Sequence, residues 1–253
     1  MDNMEQRRDA VVRLINENGT ISFAELKRAF PQVSDMTLRT DLKTLDEQKR
    51  IVRIHGGAKS VEVVIGTDDY YVQRAVRNSG AKQRIAEKAL QLIQPNTTVY
   101  LDSGTTTTEL ARMIPDQKLI IFTSGMSCAM ELARLELAEI YLPGGKMNRY
   151  SISVSGAESV SRLQQIRFDI AFIGVTCFSE SFGFSCGAPE EALLKQTAMK
   201  QAEKTAVLID SSKIGWDSSF SICHLKDVDV IISDDNVPEI FRRQCRMAGV
   251  TLL

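Results

Sequence analysis

Leu101-Asp102-Ser103-Gly104-Thr105-Thr106-Thr107-Thr108 is the stretch whose reading decides the fold of the larger part of this chain. The apolar run Thr98-Val99-Tyr100-Leu101 enters it. An amphipathic segment, Thr107 to Ile114, leaves it with Leu110, Met113 and Ile114 as apolar positions. That order predicts strand, tight turn, helix. Gly104 allows a sharp turn and a close approach of the backbone to a ligand. The unpaired amides at a helix start, together with the helix dipole, form an anion site. Asp102, Ser103, Gly104, Thr105 and Thr106 therefore suit a phosphate or a phosphorylated small molecule. A simpler role fits the same residues, with Ser103 or Thr105 acting only as a helix cap.

Outward from this turn, the chain alternates strand and helix from Thr97 onward. Strands are predicted at Val99–Leu101, Leu119–Phe122, Ala138–Leu142, Asp169–Gly174, Ala206–Ile209, Val228–Ile232 and Val250–Leu252. Helices are predicted at Thr107–Ile114, Ser127–Arg134, Ala157–Gln165, Pro189–Lys204 and Pro238–Met247. Nearly continuous apolar strands separated by helices imply an α/β domain with a mostly parallel sheet covered on both faces. Ligands of such sheets sit beyond the carboxyl ends of the strands. The turns that fall there carry Ser124, Gly144, Gly145, Gly174 and Lys213 beside the Ser103 turn. Hydroxyls, small residues and a cation suit a polar anion, although ordinary strand-to-helix turns favour the same residue types. The Cys177–Gly187 loop carries Phe178, Phe182 and Phe184, which fit either a pocket wall or a subunit interface.

The first sixty residues read differently. Glu5 to Asn16 is a predicted helix ended by Asn18-Gly19. Ser22-x-x-Glu25 is a capping-box pattern opening a second helix with Phe23, Leu26 and Phe30. Pro31 stops it. Ser34-Asp35 opens a third helix with Leu38, Leu42 and Leu45 as its apolar stripe and Met36, Arg39, Thr40 and Lys43 opposite, with Thr37 near the start. The run Arg50-Ile51-Val52-Arg53-Ile54-His55 then meets Gly56-Gly57, which predicts a short hairpin. Three helices and a wing make a winged helix-turn-helix whose third helix meets base edges through its N-terminal end. Arg39 has the fork geometry for guanine. Lys43, Arg53 and Lys59 suit phosphates, which position the protein without reading sequence. A helical bundle with a solvated charged face is the competing reading.

Between these parts, Asp68 to Asn78 and Ala81 to Ile93 are predicted helices, the second with Lys82, Arg84, Glu87 and Lys88 read as solvated. This gives a DNA-binding domain over 1–60, a linker over 61–80 and a ligand-binding domain over 81–253. The formal net charge of −1 excludes binding of nucleic acid by bulk charge, and residues 1–60 carry eleven Lys/Arg against nine Asp/Glu. DNA contact then rests on a local patch. The polar Met1–Asp9 segment and the lack of a long apolar run predict a cytoplasmic protein without a membrane partner. Five scattered cysteines without a Cys-x-x-Cys pair read as reduced thiols. Two distant histidines argue against a structural zinc, and no metal or cofactor is expected.

The segment Ser34-Asp35-Met36-Thr37-Leu38-Arg39-Thr40-Asp41-Leu42, followed by Arg53-Ile54-His55-Gly56-Gly57-Ala58, resembles the DNA-binding signature of the DeoR/GlpR family of bacterial regulators of sugar metabolism. That signature usually reads Ser-x-x-Thr-Ile-Arg-Arg-Asp-Leu and then Arg-x-His-Gly-Gly-Ala. This chain departs from it at Thr40, where a second Arg is usual. The family's turns are also matched in order at Ser103–Thr106, Thr123–Gly125, Pro143–Gly145, Asp169–Gly174 and Asp210–Lys213, with Thr-Ser-Gly where Thr-Asn-Ser is usual. The resemblance implies a transcriptional regulator, a repressor of a carbohydrate-utilisation operon. It implies operator DNA held by Ser34, Met36, Thr37, Arg39, Thr40, Lys43, Arg53 and His55. It also implies a phosphorylated sugar as effector in a domain similar to ribose-5-phosphate isomerase, and a homo-oligomer, dimer or tetramer. The alternative is a sugar-phosphate isomerase. The isomerases carry an Asp-Gly-Ala-Asp turn where this chain has Gly174-Val175-Thr176-Cys177, without a carboxylate. Glu190 and Glu191 remain as possible bases, although Pro189-Glu190-Glu191 is also how a helix commonly begins.

Overall fold

The computed structural model describes residues 2–48, 50–54, 56–60 and 71–253. The chain divides into two compact units, residues 1–67 and 68–253.

The first unit contains α1 (Asp2–Asn18), β1 (Thr20–Ser22), α2 (Phe23–Ala29), α3 (Asp35–Glu47), β2 (Ile51–Ile54) and β3 (Gly57–Ser60). Local signals act as the sequence predicts. Ser22 and Glu25 form the reciprocal capping box. The Ser34 hydroxyl accepts from the Thr37 amide at 3.1 Å and starts α3. Val11, Ile15, Leu26, Leu38, Leu42, Leu45 and Ile51 make the core. A carboxylate is buried beside them. Asp41 is 2% exposed and takes bonds from Arg7 at 2.7 Å and Arg8 at 2.8 Å. Burial alone would raise its pKa, but the two guanidiniums outweigh it and hold the carboxyl lower. α3 is thus fastened to α1 through its inner face, leaving the outer face open.

The hairpin predicted after α3 is β2–β3, and β1 adds a third strand in the order β1-β3-β2, all antiparallel. Ile21, which lies between the two predicted helices, pairs with Ala58 in that strand. Gly57 is required by proximity: a Cβ there would collide with the Ile21 carbonyl oxygen and press on Ser22. Backbone atoms cannot yield as a side-chain end does. We expect Gly57→Ala to cost about 1–3 kcal/mol and to speed hydrogen exchange of the β1 and β3 amides. Wild-type exchange rates in the variant would refute the close approach. Lys59 corrects an expectation: it lies in the central strand and is buried, so it does not face a phosphate in this structure. His55 lies outside the described residues.

The second unit opens with α4 (Tyr71–Val76) and α5 (Ser79–Leu90). It continues through β4 (Thr98–Leu101), α6 (Thr105–Met113), β5 (Ile120–Thr123), α7 (Met126–Leu132), β6 (Glu139–Tyr141), β7 (Lys146–Asn148), β8 (Ser153–Ser155) and α8 (Ala157–Leu163). It closes with β9 (Phe168–Gly174), β10 (Cys177–Ser179), β11 (Gly183–Cys186), α9 (Pro189–Gln201), β12 (Ala202–Leu208), β13 (Phe220–Cys223), β14 (Val230–Ile232), α10 (Glu239–Ala248) and β15 (Thr251–Leu252). Every strand predicted from the apolar runs belongs to one seven-stranded sheet, β15-β14-β12-β9-β4-β5-β6, with parallel pairing throughout. Both faces are covered. Tyr100, Ile173 and Phe241 belong to the core on one side, and Leu101, Leu110 and Phe172 to the core on the other.

A parallel sheet presents all its strand carboxyl ends at one edge, and here the winding reverses at β4. The chain steps outward through β5 and β6 on one side and through β9, β12, β14 and β15 on the other. The crevice between the ends of β4 and β9 is therefore the topological switch point, where such sheets bind ligands.

Two further expectations are corrected. Phe178 and Phe184 lie in a small antiparallel sheet, β10-β11-β13, and are buried with ring centroids 4.7 Å apart. Phe178 also meets Phe241 at 4.8 Å, so these two rings are core rather than pocket wall or interface. Phe182, at the β10–β11 turn, is 37% exposed. Lys82, read as solvated, is 3% exposed, because its ammonium donates to the carbonyls of Arg74 and Arg77 at the end of α4. The described part of the predicted linker, residues 71–80, belongs to this unit.

Candidate functional site

Asp102, at the end of β4, is the floor of the crevice. Its Oδ2 accepts from the Gly174 amide at 3.0 Å, joining the two strands at the switch point. Its backbone amide donates to the Phe172 carbonyl at 3.0 Å. Position 174 is tight against the neighbouring turn, since a Cβ would sit 3.2 Å from the Ser103 carbonyl oxygen and 3.5 Å from Asp102 Oδ2. Gly125 serves the next turn similarly, because its Cβ would lie 3.1 Å from Ser103 Cα. Tyr100 donates to Ser124 at 3.1 Å. Ser124 in turn reaches Asp102 Oδ1 at 3.5 Å. The turns carrying Asp102, Ser103, Gly104, Ser124 and Gly174 thus pack against one another.

The start of α6 decides between the two readings of the Ser-Gly-Thr turn. Gly104 is the N-cap residue with φ +138°, and no side chain caps the helix. The hydroxyls of Thr107 and Thr108 turn back to the Gly104 carbonyl at 2.9 and 2.7 Å. Ser103 and Thr105 therefore do not act as caps. The first-turn amides keep their capacity to meet an acceptor, as an anion site requires.

A buried charged cluster lies beside Asp102, made of Glu191, already read as a possible base, and Lys195, which the sequence does not announce. Lys195 of α9 is ion-paired with Asp102, and both are almost fully buried. Glu191, one turn earlier on α9, accepts from Ser151 at 2.5 Å, Ser153 at 3.0 Å and Asn148 at 3.2 Å. Burial would discharge Lys195, but the carboxylates of Asp102 and Glu191 prevail and raise its pKa. Burial likewise opposes charge on Glu191, and Lys195 with the two serines holds its pKa below the usual range. The i, i+4 spacing of Glu191 and Lys195 was a readable sign of a shared helix face.

A second polar cluster lies at the end of β12. Lys213 donates to the Val175 carbonyl at 2.9 Å and pairs with Asp210 at 3.5 Å. An ammonium has three donors, so two partners leave capacity for a ligand. Asn78 donates to Asp210 at 3.2 Å. Burial and the like charge of Lys213 push the Lys82 pKa down to about 7. The glycines at the end of β6 stand apart at the sheet edge. Gly144 borders a surface cavity with Phe122, Tyr141 and Arg162. Gly145, at φ +111°, has no room for a Cβ beside Ser155 and Ser159, so packing explains it.

In the first unit the outer face of α3 carries Met36, Arg39, Thr40 and Lys43, all exposed, with Thr37 half-buried. The Arg39 guanidinium lies 4.3 Å from the centre of the Phe23 ring, an attraction that orients it. Lys43 lies 3.8 Å from Glu47 in an exposed pair of little energetic weight. Arg53 is exposed on the wing, its amide donating to Asp46 at 3.0 Å.

Residues 7–64 match the DeoR-like helix-turn-helix domain, and residues 77–235 match the DeoR C terminal sensor domain. The two units are thus those of a DNA-binding transcriptional regulator with a sensor domain. Over 250 residues the chain is 32% identical to a putative aga operon transcriptional repressor of Escherichia coli O157:H7, covering 98% of this chain and 93% of that protein. It is 30% identical to the HTH-type transcriptional regulator GlpR of Haloferax volcanii, covering 98% and 96%. It is also 30% identical to a lactose phosphotransferase system repressor of Staphylococcus epidermidis, covering 92% and 93%. The chain belongs to the DeoR family. Among solved structures, the tetrameric eIF2B-beta2-delta2 complex from C. thermophilum shares the fold at TM-score 0.54 and 10% identity, covering 97% of this chain and 95% of that one. Ribose 5-phosphate isomerase A from Methanocaldococcus jannaschii aligns at TM-score 0.40 and 18% identity, over 54% of this chain and 55% of that one. No helix among the described residues is long and apolar enough to cross a membrane, and no cluster among them has the groups to hold a metal ion.

Proposed function

We propose that this regulator represses a carbohydrate-utilisation operon in the cytoplasm and is released by a phosphorylated sugar bound at the β4–β9 crevice. The observation that carries the site is the uncapped start of α6 at the switch point. Ser103, Gly104, Thr105 and Thr106 would meet the phosphate, with Lys213 as counter-charge. Asp102, Ser124 and Gly174 would shape the floor, while Gly145 keeps a packing role and Gly144 stands apart at the sheet edge. Bound ligand stabilises the native state by mass action, about 2.7 kcal/mol at a hundredfold excess over Kd. A thermal-shift screen of phosphosugars on the full chain tests this. Absence of any shift across pentose and hexose phosphates would remove the effector class.

Operator DNA is the partner proposed for Ser34, Met36, Thr37, Arg39, Thr40, Lys43 and Arg53, bound by a homo-oligomer on paired half-sites. Arg39→Ala should lose about 1–3 kcal/mol of specific binding, and Lys43→Ala should weaken all sequences alike and flatten the salt dependence. Gel-shift titrations over a salt series separate the two. Unchanged affinity and preference in Arg39→Ala would reverse this orientation of α3.

Catalysis is not part of the proposal. Glu191 is fixed by three donors and holds its proton weakly, which makes a poor general base. Pentose-phosphate turnover that disappears in Glu191→Gln would overturn this.

A further inference from the structure

The outer face of α3 carries an apolar group where a DNA-reading helix usually offers donors. Met36, in the first turn, is 77% exposed. Its thioether is at best a weak acceptor, so it cannot take part in the hydrogen-bond code of the base edges. Thr40, one turn on, is also exposed, and its hydroxyl donates to the Met36 carbonyl at 2.9 Å. Its only O–H is thus used inside the helix, so Thr40 has no donor left and presents its methyl beside an acceptor oxygen. Between them stands Arg39, oriented by the Phe23 ring with its donors still available. This face offers one fork of donors flanked by two apolar groups. In the major groove the apolar feature of a base edge is the 5-methyl group of thymine.

We infer that Met36 and Thr40 recognise the methyl group of a thymine adjacent to the base pair that Arg39 contacts. The inference rests on α3 being the helix that enters the major groove. It names what replaces the charge that a second arginine would bring at position 40. Lys43, further along the same face, is left for the phosphates.

The test uses the full-length protein. A preferred duplex is selected from a random-sequence library, and each thymine of its half-site is replaced in turn by deoxyuridine, which removes only the methyl group. Wild type should lose about fourfold in affinity at one or two positions, the size expected for one buried methyl. The salt slope should stay unchanged, because no phosphate contact is touched. Met36→Ala and Thr40→Ser, both at exposed positions, should bind the thymine and deoxyuridine duplexes within twofold of each other. Deoxyuridine tolerated at every position by wild type, or an equal loss in wild type and both variants, overturns the inference. Arg39→Ala and Lys43→Ala are the controls. If they weaken the selected duplex while deoxyuridine has no effect, only the methyl contact fails. If they too leave binding unchanged, α3 does not read DNA and the underlying interface fails with it.

Discussion

Lys195→Met will cost the second unit about 3–5 kcal/mol of stability, because it leaves Asp102 buried without its counter-ion. The pair lies under the switch point with both side chains nearly sealed from water, and Glu191 adds a second carboxylate nearby. Removing one member strands the other, whereas replacing both removes the unmet charge. The double variant Asp102→Asn, Lys195→Met should therefore be more stable than Lys195→Met alone. The chain has one tryptophan, Trp216, and it lies in the 68–253 unit, so its fluorescence in urea reports on that unit. A single variant within 1 kcal/mol of wild type would mean that the pair is open to water.

The second large effect is coupling between effector and operator. A phosphosugar at the α6 start should change operator affinity by roughly 5–150-fold, the range of a 1–3 kcal/mol coupling, and operator should change effector affinity by the same factor. Thr106→Val keeps the size and removes a hydroxyl. Lys213→Met removes the charge and keeps most of the stem. Both variants should bind operator when free of effector and respond weakly to it. Lys213 also holds the Val175 carbonyl, so loss of that anchor alone would lower stability while leaving effector affinity intact. Calorimetry on wild type and Lys213→Met, each with and without operator, separates these outcomes. Equal effector affinity in all four would end the proposal that this site controls DNA binding.

The parallel sheet was legible because strands buried on both faces must be apolar throughout, as Ile170-Ala171-Phe172-Ile173 is. Local capping was equally legible, since Ser22 with Glu25 and Ser34 with Thr37 act within one turn. The β10-β11-β13 sheet was not, because Phe184 pairs with Cys223 across a long separation and no local pattern announces it. Nor was Lys195 as a site residue. α9 buries Ala192, Leu194, Lys195, Thr197 and Ala198, so it shows no apolar side from which a buried cation would stand out. Lys82 misled for a different reason. Its neighbours Arg84, Glu87 and Lys88 are charged, and only the folded position of α4 supplies the carbonyls it meets.

The central place of β4 has a consequence for how the chain is made. β4 pairs with β9, and the Thr98 amide bonds Asp169, 71 residues later. At roughly 5–20 residues per second, a ribosome leaves that side of β4 without its neighbour for about 4–14 s. The winged helix, whose paired strands all lie within the first sixty residues, is complete before β4 has been synthesised. The nascent chain therefore holds a folded DNA-binding head while its sensor still shows an open apolar strand. Such strands are where aggregation and chaperone capture begin. Non-local pairing also predicts that the sensor refolds more slowly than the head after dilution from urea.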